Sequence, residues 1–163
     1  KTITMKINIK KNKGFSIVEI LVALFVIAVA LSSLLGLAAF SLKITNTLKE
    51  TQQASNFSQE LMEITRNFRD GTSWNADGLG TLLTGTAYHP QQSGSPAAWQ
   101  FSLGLETEGI FSRKIVFEDV FRDADDNITL SGGLLDNNTK KATVTVWWKD
   151  KSIELVSYFT NWK

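Results

Sequence analysis

Between Phe15 and Leu42 the chain reads FSIVEILVALFVIAVALSSLLGLAAFSL, 28 residues in which Glu19 is the one ionisable side chain. A helix of that length is about 42 Å long at roughly 1.5 Å per residue, more than the ~30 Å of a bilayer's hydrocarbon core. The pattern therefore predicts a membrane-spanning helix. The helical period then continues with a different distribution of polarity. Ile44, Leu48, Thr51, Ala54, Phe57, Leu61, Ile64 and Phe68 recur at three- and four-residue steps and draw one apolar stripe on a polar background. No proline interrupts residues 15–69, and Arg66, Arg69 and Gly71 supply a stop. Together these features predict one helix over 15–69, roughly 80 Å long, apolar on all sides in its first half and amphipathic in its second. The stripe should face the protein's own sheet. Leu24, Ile27, Leu31, Leu34, Leu35 and Leu37 surround too much of the helix for a domain of this size to bury, so they require lipid or neighbouring chains.

After the helix the pattern breaks. Residues 71–112 hold seven of the 11 glycines and both prolines, Pro90 and Pro96, and predict loops with short strand-like pieces such as Trp99 to Leu105. The last third returns to order. Arg113–Arg122, Lys141–Lys149 and Ser152–Asn161 are β-branched and aromatic and predict antiparallel strands. Placing Lys149 opposite Ser152 pairs Trp148 with Ile153, Val146 with Leu155, Val144 with Ser157 and Ala142 with Phe159, a nearly all-apolar face that should meet the helix stripe.

Composition narrows the chemistry. The chain of 163 residues has no Cys, which excludes disulfides, thiolate metal sites and thiol catalysis, and one His, which excludes a multi-His metal site. The net charge of +1 is misleading. Lys1, Lys6, Lys10, Lys11 and Lys13 all precede Phe15 with no acid among them, and setting those five aside leaves 12 basic residues against 16 acidic ones, a balance of −4. A nucleic-acid partner is not expected on that balance. The same lysines, against one Lys43 behind the apolar run, orient it with the lysine side cytoplasmic. The small-x-small triplet Gly36-Leu37-Ala38 could serve a signal peptidase, but more than 20 apolar residues precede it and a carboxylate sits among them, unlike a secretory signal.

Glu19 demands a partner. An ionised carboxylate at membrane depth costs about 2.5–3.5 kcal/mol, and the alternatives are snorkelling to the interface, protonation, or a positive charge that the linear chain does not show. A free amine on Phe15, made by a cut after Gly14, would be such a charge.

The residues Lys13-Gly14-Phe15-Ser16-Ile17-Val18-Glu19, followed by Ile20-Leu21-Val22-Ala23-Leu24 and an unbroken apolar run, resemble the class III signal of type IV pilins and type II secretion pseudopilins. The tail, Phe117 to Asp123, Lys140 to Trp148 and Tyr158 to Trp162, is similar to the C-terminal sheet of PilV-like minor pilins, as is Leu21-Val22-Ala23-Leu24. The resemblance implies an α+β pilin-like fold, a long N-terminal helix with a small antiparallel sheet on its C-terminal half. It implies processing at Gly14 and Phe15 by prepilin peptidase, methylation of the new amine, and pairing of Glu19 with the Phe15 amine of an adjacent subunit. The expected organisation is a cytoplasmic leader over 1–14, a transmembrane and filament-core helix over 15–42, its amphipathic continuation over 43–70, a variable loop region over 71–112 and the sheet over 113–163. The expected partners are other pilin subunits, prepilin peptidase and an inner-membrane assembly platform. The expected location is a single pass of the inner membrane, then an extracellular or periplasmic filament. The function so implied is that of a minor pilin, a structural subunit and not an enzyme. A type II secretion pseudopilin is the alternative, and a single-pass anchored binding protein is the alternative from another class.

Other candidate sites are weaker. Asp123-Ala124-Asp125-Asp126-Asn127 begins like an EF-hand loop, but Ile128 stands where Gly is needed and Leu134 where the bidentate Glu belongs. A solvated turn is expected, with no metal. The competing reading is an irregular Ca²⁺ site at Asp123, Asp125 and Asn127, completed by Asp119 or Asp136. Trp148 should be core, Trp74 and Trp99 should lie in loops, and Trp147 and Trp162 should be exposed or cover the sheet's second face, with a subunit contact favoured over a glycan site. His89 reads as a loop residue. No nucleophile and base can be assembled, and no cofactor is expected.

Overall fold

The computed structural model describes residues 14–130 and 132–162; the expected leader, up to Lys13, lies outside the described residues. One helix, α1 (Ile17–Gly71), is followed by a 3-10 turn (Leu79–Thr81) and seven strands: β1 (Ala87–Ser93), β2 (Ala98–Leu103), β3 (Glu106–Glu108), β4 (Phe111–Arg122), β5 (Ile128–Thr129), β6 (Leu134–Trp148) and β7 (Lys151–Thr160). The chain divides into two compact units, up to Thr47 and from Leu48 onward. The fold is α+β and pilin-like.

In the first unit every described residue from Gly14 to Asn46 is exposed. Three of its hydroxyls are satisfied within the helix. Ser32 Oγ donates to the Ala28 carbonyl, Ser33 Oγ to that of Val29 (both 2.9 Å) and Thr45 Oγ1 to that of Ser41 at 2.9 Å. Each of these polar atoms is thus turned back onto the helix, as a hydrocarbon surround requires.

In the second unit the remainder of α1 lies on an antiparallel sheet of order β2-β1-β4-β6-β7. The central β4 pairs with β6 along its length, while β3, β1 and β5 cover its other edge in three separate pieces. Alternation over Phe111–Phe117 of β4 and Ala142–Trp148 of β6 turns Phe111, Ile115, Phe117, Ala142, Val144, Val146 and Trp148 to the core, where they meet Ala54, Leu61, Met62 and Phe68 of α1. Edge-on ring contacts join the layers, Phe57 to Phe111 at 5.4 Å and Phe68 to Phe101 at 5.1 Å. Ile44 and Leu48, the first two positions of the expected stripe, are exposed, and the buried positions begin at Ala54.

Three sequence expectations are corrected. The β6–β7 register is two residues from the expected one: Trp148 pairs with Lys151, Val146 with Ile153, Val144 with Leu155 and Ala142 with Ser157. The reason is the turn. Lys149 takes a positive φ of 53°, which lets Lys149-Asp150 close as a two-residue hairpin. A shift of two keeps every side chain on its expected face, so the core set survives. The segment after the helix, expected as loops with short strand-like pieces such as Trp99 to Leu105, holds three strands, β1, β2 and β3, and β2 falls on that stretch. His89, expected in a loop, lies in β1 opposite Ser102, and Trp99 lies in β2 opposite Gln92.

Candidate processing and assembly site

The sequence around Gly14 sets the geometry of the helix start. Gly14 and Phe15 precede α1 and are exposed, Phe15 at 79%. Nothing lies within 4 Å of where a Cβ on Gly14 would stand, so the Gly14–Phe15 bond is open to solvent. The Ser16 carbonyl accepts from the Glu19 N–H at 3.0 Å and the Ile20 N–H at 3.2 Å, which fixes the first turn immediately after the bond. Ser16-x-x-Glu19 has the spacing of a capping box, and an acid in the first turn complements the positive end of the helix dipole.

Glu19 does not stand on a polar face. It lines one shallow apolar groove with Phe15, Ile20, Ala23, Leu24 and Ile27, residues at helical steps along a single side. The first cation after it, Lys43, is 24 residues on, about 36 Å along the axis, and cannot reach it. An 18-residue window of α1 has a mean hydropathy of 2.8 with nothing buried, so the helix is long and apolar enough to cross a membrane. Gly14, Phe15 and Glu19 therefore share one end of one apolar helix.

The second unit places the other sequence candidates. Asp123 closes its own turn: its Oδ1 accepts from the backbone N–H of Asn127 at 2.9 Å and of Asp125 at 3.0 Å, and the Asn127 amide donates to it as well. These donors, the Asn127 N–H foremost, hold its pKa below the usual carboxylate value. Asp125 thus contributes its backbone to the turn. Asp136 is held by Arg122 at 2.7 Å and Asp119 by Lys140 at 2.7 Å, so both carboxylates invoked to complete a cation site already have cationic partners. The Arg122 hydrogen bond is also the main cause of a lowered Asp136 pKa, with Thr139 second. Among the described residues no group of three or more His, Asp or Glu is placed to hold a metal ion.

Two features escape the sequence reading. Arg113 is buried on β4 between Glu106 (2.8 Å) and Glu60 of α1 (3.2 Å), with its guanidinium 5.3 Å from the Phe57 ring centroid. Burial works against its charge, but the two carboxylates outweigh it and raise its pKa. Trp74, expected in a loop, is buried, and its Nε1 donates to the Asn137 carbonyl at 3.0 Å. That carbonyl is available because the β4–β6 register jumps from Asp119/Lys140 to Val120/Asp136, leaving Asn137, Asn138 and Thr139 as a bulge. The Asn138 carbonyl then accepts from the Asn161 N–H at 2.7 Å. An Asn-rich strand segment, DNNT, was the available signal for this seat.

Comparison with curated proteins and with solved structures gave no match for this chain. Comparison with family models gave one finding, and it falls on the helix start described above. The chain carries at residues 9–35 the prokaryotic N-terminal methylation motif, the signature that type IV pilins and pseudopilins share.

Proposed function

We propose that this chain is a minor pilin: a membrane-anchored precursor that prepilin peptidase cuts between Gly14 and Phe15, methylates at the new amine, and releases into a type IV pilus-like filament. Its role is structural, and its chemistry is that of a substrate of processing. In this reading the helix crosses the inner membrane with the lysine-bearing side cytoplasmic and the second unit outside. Neighbouring helices then replace lipid around Leu24, Ile27 and Leu31, and Glu19 meets the Phe15 amine of an adjacent subunit. Such a pair specifies register more than it stabilises, because desolvation consumes most of the Coulombic gain. The likeness of the tail to PilV-like minor pilins favours a minor subunit.

The observation that carries the proposal is the coincidence of the methylation motif with a lone acid on an otherwise uncharged, wholly exposed apolar segment over 15–42. Mass spectrometry of sheared surface filaments tests it. The expected result is a polypeptide that starts at methylated Phe15 and is present in the filament fraction. An intact Gly14–Phe15 bond in cells with active prepilin peptidase refutes it. Presence of the processed chain only in a secretion machine with exported enzymes assigns it to the pseudopilins instead.

A further inference from the structure

The acidic turn between β4 and β5 carries a second pattern beside the one tested for a cation. Asn127-Ile128-Thr129 is an Asn-x-Thr triplet without proline at its centre, the acceptor spacing for attachment of a saccharide to an asparagine amide. Two more triplets of this kind occur, Asn56-Phe57-Ser58 and Asn137-Asn138-Thr139. Bacterial transferases that use such triplets ask in addition for an acid two positions before the asparagine. Asp125 supplies it for Asn127, whereas Ala54 and Leu135 hold that position for the other two.

The fold makes the same selection independently. Asn56 lies inside α1, and Ser58 is buried with its hydroxyl turned onto the Ala54 carbonyl at 3.0 Å. Asn137 lies in the β6 bulge with its carbonyl under the Trp74 indole, and Thr139 is buried. Asn127 stands outside every helix and strand, and each residue from Asp123 to Ile128 is exposed. Its amide nitrogen meets the Asp123 carboxylate at 3.3 and 3.4 Å, the long end of hydrogen bonding. The turn is closed by other donors: the backbone N–H groups of Asn127 and Asp125 on Asp123, and Arg122 on the Asp126 carbonyl at 2.8 Å. A substituent on the Asn127 amide nitrogen breaks none of these bonds. Around it Phe121, Ile128, Leu130, Leu134 and Leu135 are all exposed, Leu130 at 96%, an apolar tip that a hydrophilic cover would screen.

We propose that Asn127 is a site of N-linked glycosylation. In the transfer, Nδ2 of Asn127 bonds to the anomeric carbon of a saccharide carried on a polyprenyl diphosphate. The bond from that carbon to the diphosphate oxygen breaks, polyprenyl diphosphate leaves with the electron pair, and Nδ2 gives up one proton to a base of the transferase. The product amide keeps one N–H, enough to retain a bond to Asp123. The inference rests on the topology of the proposed function, which puts the second unit outside the cytoplasm, the side on which such transferases act.

Mass spectrometry of the full chain recovered from its native cells tests the site. Trypsin releases Asp123 to Lys140 as one peptide that holds both Asn127 and Asn137, so fragmentation must separate them. The expected result is that peptide with the added mass of a saccharide, placed by its fragments on Asn127. Asn127→Gln, which keeps a side-chain amide, should return the peptide to its bare mass, while Asn137→Gln leaves the saccharide in place. Thr129→Ser should retain it and Thr129→Val should abolish it. Asp125→Ala should lower occupancy about tenfold, as expected for one lost charge-assisted contact with the transferase. A bare peptide in the wild-type chain overturns the proposal, and so does a saccharide that persists in Asn127→Gln. The state of Phe15 in the same sample reports separately on the filament reading. A glycosylated chain with an intact Gly14–Phe15 bond leaves the modification standing and removes that reading, whereas a processed chain with a bare peptide does the reverse.

Discussion

Glu19→Ala is the perturbation on which the assembly argument is most exposed. The acid lies in the first turn of α1, on an exposed apolar face, with the first following cation about 36 Å away. In the proposed membrane-stored subunit an ionised carboxylate raises the free energy by up to about 2.5–3.5 kcal/mol, the cost at the centre of a span. A filament that brings a neighbour's Phe15 amine to the acid relieves that penalty, and among the described residues no Lys or Arg of the same chain is paired with it. Replacing Glu19 with Ala removes both the penalty and its relief, so the membrane-stored state becomes the more favourable one by the same amount. At 1.36 kcal/mol per tenfold, the ratio of filament to membrane subunit should fall by up to about 70- to 400-fold. Quantitative immunoblotting of sheared and membrane fractions reads that ratio, and terminal mass spectrometry confirms that Phe15 is still processed. Insertion and processing should be unaffected, since neither uses the carboxylate. A ratio within about twofold of the wild type, with processing intact, refutes the charge-pairing account.

The second unit offers three further expectations. Arg113→Met keeps the packing volume but removes the ion pairs to Glu106 and Glu60 and the contact with Phe57; it should cost about 1–3 kcal/mol and lower the melting temperature of the full chain in detergent by roughly 5 °C or more, and an unchanged melt would show that the clamp adds nothing. Asp123 and Asp136 both titrate below the ordinary carboxylate value of about 3.9, so the stability they add is complete above that pH and is lost as pH falls through their folded-state pKa. Melts from about pH 6 down to about pH 2 should therefore weaken below about pH 4, and Asp136→Asn should flatten that limb; an identical acid limb in the variant would refute the assignment. Gly80→Ala places a Cβ 2.6 Å from the Trp74 ring and 2.7 Å from its carbonyl, so it should destabilise by about 1–3 kcal/mol and alter the near-ultraviolet circular dichroism; a neutral result would mean that the Trp74 seat tolerates displacement.

What the sequence reveals divides along a physical line. The helix, its uncharged first half and the lone Glu19 are legible because each rests on spacing along one element, and an apolar run of that length has few other uses. The core-facing set of β6 and β7 is legible for the same reason, since alternation fixes the face for any register an even number of residues away. The register itself is not, because it depends on whether Lys149 accepts a positive φ, a choice that composition does not announce. Ser58 and Thr65 are buried against expectation for polar residues, yet each hydroxyl donates to the carbonyl four residues back, Ser58 to Ala54 at 3.0 Å and Thr65 to Leu61 at 2.7 Å. A helix can thus hide a hydroxyl within itself, and a stripe chosen mainly for apolar residues misses part of the packed face. Arg113 and the Trp74 seat stay hidden for a different reason: their partners lie on other elements, Glu60 on α1 for the one and the Asn137 bulge on β6 for the other. The same holds at the processing site with one element fewer, for the partner that Glu19 lacks is supplied in the proposed filament by another copy of the chain. An unsatisfied charge is therefore the most informative residue in the sequence, since its missing partner points beyond the single molecule.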